Sequence, residues 1–227
     1  MTAIYWILFI GIALASWIVS ASLKRKFKRY AQEALPLTGR EVALKMLHDN
    51  GIYDVEVTCI EGQLTDHYNP ANKTINLSTD VYNGANVAAA AVAAHECGHA
   101  VQHATEYGPL GLRSALVPVV SFSSRWVPWI LLAGMLLLGS RPGQILLLAG
   151  IGLYAMITLF SFITLPVEVN ASQRAVNWLR EAGITNNETT QMASDALHSA
   201  AYTYVVAALS ALATLLYYVM IFLGSRR

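Results

Sequence analysis

A run of twenty residues without a charge is the strongest constraint on this chain. AIYWILFIGIALASWIVSAS, residues 3 to 22, would reach about 30 Å as a helix, which matches the hydrocarbon core of a bilayer. Directly behind it stands KRKFKRY, with five basic residues between Lys24 and Arg29. A cleaved leader carries its positive charge ahead of the apolar run and a small-residue cleavage site behind it. The order here is the reverse, so the segment is expected to stay as a membrane anchor. Hydrophobicity returns late in the chain. WVPWILLAGMLLLG, residues 126 to 139, reaches only about 21 Å. It becomes a full span if it begins near Pro118 with Arg125 snorkelling at one end, or else it is a tilted, partly sheltered segment. SRPGQ turns the chain, 145 to 165 gives a cleaner span, and residues 200 to 224 supply the last. With 55% hydrophobic and 13% charged residues the composition is that of a membrane protein.

Four spans alternate sides, so the loops after the first and third share a side, and residues near 95 and 168 can meet. A three-span arrangement with a re-entrant second segment would separate them. The basic cluster behind the first span, with Arg174 and Arg180 in the later loop, outweighs Arg141 alone on the opposite hairpin. Both loops are therefore expected in the cytosol and both termini outside, with Arg226 and Arg227 pulling mildly the other way. The expected organisation is a first transmembrane helix at 1–23, a catalytic part at 24–114, a transmembrane hairpin at 115–165, a second catalytic part at 166–200 and a final helix at 201–227. The formal charge of +1 recruits no nucleic acid. Cys59 and Cys97 form no CxxC and are too few for a disulfide framework.

The first catalytic part reads as mainly α with a small β element. TGREVALKMLHDNGI is an amphipathic helix using Val42, Leu44, Met46 and Leu47, and Gly51 stops it. YDVEVTCIEG and TINLS read as short strands, and DHYNPANKT between them as turn material. The alanine-rich run from Asn86 to Thr105 reads as a helix that Gly108-Pro109 ends.

That helix carries AAHECGHAVQ. His95 and His99 lie one turn apart on one face, where two imidazoles can bind one zinc ion, and Glu96 beside them can take a proton from a zinc-activated water. The pattern should arise by accident in under about one such sequence in a hundred. An alanine-rich helix with satisfied core histidines is the plainer reading, and it leaves two histidines and an acid in register unexplained. A third ligand is needed, and Glu168 in LPVEVNASQRA is the only acid between Glu106 and Glu181. Its plainer role is an interfacial carboxylate pairing with Arg174.

Other polar residues carry weaker expectations. His67 and Tyr68 are candidates to hold the oxyanion, or else pin a turn with Asp66. His103 can stand behind the ligands, and His198 is an interfacial residue. TINLS is expected as an exposed edge on which an extended peptide could pair. Cys97 should point away from the histidine face. The sequons at Asn76 and Asn187 should be silent on the cytosolic side, and Trp126, Trp129, Tyr217 and Tyr218 anchor the interface.

HECGHAVQH, DHYNP, LGLRSALVP and LPVEVNASQRA together resemble the bacterial membrane zinc metallopeptidase family typified by YugP. They are similar, more distantly, to the HtpX and Ste24 membrane peptidases of the gluzincin type. The resemblance runs from the first span through the last. It implies a multi-span plasma-membrane protein with a gluzincin-like peptidase domain, one zinc ion on His95, His99 and Glu168, and Glu96 as general base. Its substrates would be peptides or membrane proteins; it fixes neither a particular substrate nor an oligomeric state. Related sequences usually carry aspartate where this chain has Asn170. If that side chain holds a ligand histidine, an asparagine orients the ring without adding charge, lowering zinc affinity or rate about 10 to 100-fold. Two rival readings remain: a scaffold or transporter-like protein with a structural or degenerate zinc site, and a zinc hydrolase of a small non-peptide substrate. A strand edge in a groove would favour peptide; a closed apolar pocket would favour the small molecule.

Overall fold

The computed structural model describes residues 2–225; Arg226 and Arg227 lie outside them. Seven helices and three strands follow one another among the described residues: α1 (Thr2–Tyr30), α2 (Gly39–Asp49), β1 (Glu56–Ile60), β2 (His67–Asn69), β3 (Thr74–Ser78), α3 (Thr79–Asn83), α4 (Val87–Ala104), α5 (Gly108–Leu136), α6 (Arg141–Glu181) and α7 (Asn187–Gly224). Four of the helices are long and apolar enough to cross a membrane, namely α1, α5, α6 and α7. In lipid each backbone polar group must be satisfied within the segment, which makes helix the form such runs take.

One expectation about a helix boundary needs correction. Gly108-Pro109 does not end α4, which closes at Ala104 with Thr105 as its C-cap; it opens α5. A proline in a first helical turn loses no hydrogen bond, so the same dipeptide that stops one helix can start the next. The second span is a 29-residue helix that runs through Pro118 and Pro128. The helix that carries the third span, α6, continues through Pro166 to Glu181.

The chain divides into two compact units. One comprises the residues up to Trp17, Leu112–Leu165 and those from Thr203 on. Here α5 and α6 pack through Val127, Leu131 and Leu147, and Gly134 admits the Leu147 backbone, whose nitrogen would lie 2.6 Å from an added Cβ. Large apolar side chains such as Trp129, Leu136 and Leu223 face outward, as they must where the solvent is lipid.

The other unit, Ile18–Gly111 with Pro166–Tyr202, is built around α4. Thr38 and Glu41 form a reciprocal capping box at the start of α2, and Gly51, at φ +70°, lets the chain leave it. Its buried face is Val42, Ala43, Met46 and Leu47, with Leu44 only partly covered. Ile75 and Leu77 of β3 join that face, as do Leu179 of α6 and Leu197 of α7. α4 is enclosed on nearly every side, which is why it is alanine-rich: only small side chains let so many elements approach one helix. The closest approach is at Gly98, where an added Cβ would sit 2.6 Å from the Ala171 carbonyl oxygen of α6.

The sheet runs β1-β3-β2, with β1 parallel and β2 antiparallel to β3. TINLS is thus the central strand, not an edge. The edges are β1 and β2, the latter in the segment expected to be turn alone. Only Pro70–Lys73 reverses the chain, with Lys73 at φ +53°, and this hairpin folds His67–Asn69 back along β3.

Gly98→Ala should force α4 and α6 apart. We expect a loss of about 1–3 kcal/mol of stability, read as a lower thermal midpoint in detergent.

Candidate active site

His95 and His99 stand edge to face on α4, ring centroids 4.8 Å apart. Opposite them α6 supplies Glu168, whose Oε2 lies 3.3 Å from His95 Nε2 and 3.6 Å from His99 Nε2. Bonds of about 2.0–2.2 Å to a tetrahedral zinc set ligand atoms about 3.3–3.6 Å apart, so both Glu168 separations fit that ion, and all three ligand atoms lie within 4.8 Å of one another. Glu168 is 3% exposed and its Oε2 has no hydrogen-bond partner. A buried carboxylate oxygen left without a donor and facing two imidazole nitrogens calls for a cation. Burial alone would lower the His99 pKa, but the neighbouring Glu168 and Glu96 outweigh it and leave it raised.

The orientation of His99 follows from its neighbours. Gln102, fully buried one turn along α4, lies 2.8 Å from the Val167 carbonyl oxygen through Nε2. A carbonyl only accepts, so Nε2 is the donor there and Oε1 faces His99 Nδ1 at 3.0 Å. His99 therefore carries a proton on Nδ1 and faces Glu168 with Nε2, the atom left to ligate a metal. Gln102 Nε2 also donates to Asn170 Oδ1 at 3.0 Å, which accepts from Arg174 Nε at 2.8 Å. Asn170 thus reaches the ligand histidine only through Gln102, and Arg174 is engaged by Asn170 instead of pairing with Glu168. On the other histidine, Ser172 Oγ lies 3.1 Å from His95 Nδ1. Sequence reasoning missed Gln102 and Ser172. Their signal was spacing alone, three residues after His99 and four after Glu168.

Glu96 is buried beside the cluster, and its Oε2 accepts the Tyr68 backbone N–H at 2.9 Å. Since that N–H is spent on Glu96, Tyr68 faces it away from β3, along the outer edge of β2. The Tyr68 hydroxyl lies 2.8 Å from His103 Nδ1, which brings these two candidates together. His67 is engaged elsewhere, 2.7 Å from the Thr65 carbonyl and 3.3 Å from Asn76 Nδ2. His198 lies 2.8 Å from the Ser194 carbonyl in its own helix. Cys97 is fully buried against the Ala43 carbonyl, and burial pushes its thiol pKa well up, with Glu96 adding to the shift, so no thiolate nucleophile forms.

Two histidines one turn apart, a distant glutamate closing on them and a second glutamate between them define the HExxH class of zinc peptidase with a glutamate as third ligand. The family model described as "Putative neutral zinc metallopeptidase" matches residues 5–223, and the chain belongs to that family. It is 42% identical over 219 residues to the "Putative membrane protease YugP" of Bacillus subtilis, covering 95% of each chain. No solved structure matches it.

Two outcomes follow for metal binding. Gln102→Leu should weaken zinc about 10 to 100-fold in a chelator competition, by freeing the His99 ring. Because zinc and a proton compete for His99, zinc affinity should rise from about pH 5 to about pH 8. It should level off above the ordinary imidazole pKa, as isothermal titration across that range would read.

Proposed function

We propose that the chain is a zinc-dependent endopeptidase of the bacterial plasma membrane, in which His95, His99 and Glu168 hold one zinc ion and Glu96 is the general base. The observation that carries this reading is the orphaned Glu168 Oε2 at zinc-ligand spacing from both histidines. Bound zinc would supply Lewis acidity to the scissile carbonyl and acidify the attacking water. Glu96, anchored through Oε2 on the Tyr68 N–H, keeps its other oxygen to take the proton from that water and return it to the leaving amine. Gln102 keeps His99 in the tautomer that can ligate, and Ser172 stands behind His95. The Tyr68–His103 pair is the candidate donor to the oxyanion.

The substrates are membrane or membrane-proximal proteins cleaved as extended segments. β2 has a strand on one side only and turns Tyr68 toward Glu96, which favours a peptide over a small molecule. The three-member ligand group leaves a position for water, whereas a structural site uses four protein ligands. The basic run at Lys24–Arg29 supports cytosolic loops. The relative's description as a membrane protease points the same way.

Elemental analysis and casein cleavage on the same detergent preparations test this. Glu96→Gln should keep about one zinc per chain and lose about 10²–10⁴ in rate, and Glu168→Ala should lose both. Wild type that binds zinc but cleaves nothing would favour the scaffold reading.

A further inference from the structure

A cavity of about 680 Å³ lies in the same unit as the zinc ligands, between the end of α1, the β1–β2 loop and the start of α4. That volume is in the range of ligand-binding pockets. Ala88 and Val92 line it, and with Glu96 they form one stripe of α4 at four-residue steps. Asp66 lines it too, two residues ahead of Tyr68, whose N–H holds Glu96. Four residues along a helix rise about 6 Å and two along a strand about 7 Å. Two separate elements thus lead from Glu96 to this cavity over the same short distance, about the length of two residues of extended peptide.

The cavity walls differ in charge. Phe27 and Leu64 give it an apolar body, and Lys24 and Lys28, one turn apart on α1, line it with their charges unpaired. Among the described residues neither lysine has a carboxylate partner. Of the cavity's own acids, Asp66 accepts from the Ser78 backbone N–H and hydroxyl at 2.7 and 3.0 Å, and Asp80 lies in the first turn of α3. We infer that this cavity is a substrate subsite within about two residues of the scissile bond, and that Lys24 and Lys28 make it select apolar segments bearing acidic residues. The inference rests on the peptidase reading and names the substrate class of that site.

The full chain carrying Glu96→Gln, in detergent, would be titrated with two fluorescent peptides of leucine and alanine, one with a glutamate pair and one with a lysine pair. The acidic peptide should bind about 10-fold tighter, and Lys24→Glu with Lys28→Glu should reverse the order without changing zinc content. Val92→Trp, which fills the cavity and leaves the basic run intact, should weaken both peptides. Equal binding of the two peptides, or a preference that survives charge reversal, overturns the inference. So does a reversal that alters only the anionic phospholipid retained by the protein, because the lysines would then face lipid. If the acidic preference holds but the Glu96 protein leaves the bound peptide uncut, the subsite stands and the peptidase reading falls.

Discussion

The site depends on two helices meeting at backbone distance. Gly98 lies between the ligand histidines and Ala171 lies three residues past Glu168, and no Cβ fits between them. With a side chain there, the carboxylate would stand back from the imidazoles by a sizeable fraction of an ångström, and ligand spacing tolerates only about 0.2 Å. Glycine at this position is therefore a metal-site requirement expressed as packing. The alanines before it extend the same logic along α4, where small side chains let the sheet, α2 and α6 close on one helix and bury His99 and Glu168.

Burial makes every charge near the cluster consequential. Glu96 and Glu168 are two carboxylates that a bound divalent ion would balance, and Arg174 stands as a cation three hydrogen bonds behind His99. With aspartate at 170 the arginine would be neutralised; with Asn170 the centre keeps one more positive charge. That favours anionic character in whatever the ion binds, water included, and offsets part of the ligand strength lost when a neutral amide stands behind the histidine. The protein thus has an orienting relay made of amides, with the charge placed at its far end.

Much of this was legible in the sequence because it rests on period and elimination. Four apolar runs gave four helices of spanning length, one-turn spacing put His95 and His99 together, and the scarcity of acids singled out Glu168. What failed to read was short or ambiguous. A three-residue strand offers too little alternation to show inside HYNPANKT, so β2 was hidden and TINLS looked like an edge. Proline signals both stops and starts, which misplaced the junction of α4 and α5 and obscured the continuity of α6 through Pro166. Gln102 left no motif at all; its role exists only because the Val167 carbonyl fixes which way its amide turns.

On the proposed peptidase reading, the continuity of α6 bears on substrate choice. Its apolar run ends at Leu165 and Glu168 follows within one turn of the same unbroken helix. A ligand so close to the end of a spanning segment would then suit an extended segment better than the interior of a folded soluble domain, whose peptide bonds are already paired. A segment that emerges extended at the membrane surface has unpaired backbone groups, and β2 beside Glu96 is paired on one side only, with the Tyr68 N–H of its other side already held by Glu96. Access would then be set by how readily a target unravels at the interface more than by its side chains, with side-chain preference confined to the positions that enter the adjoining cavity.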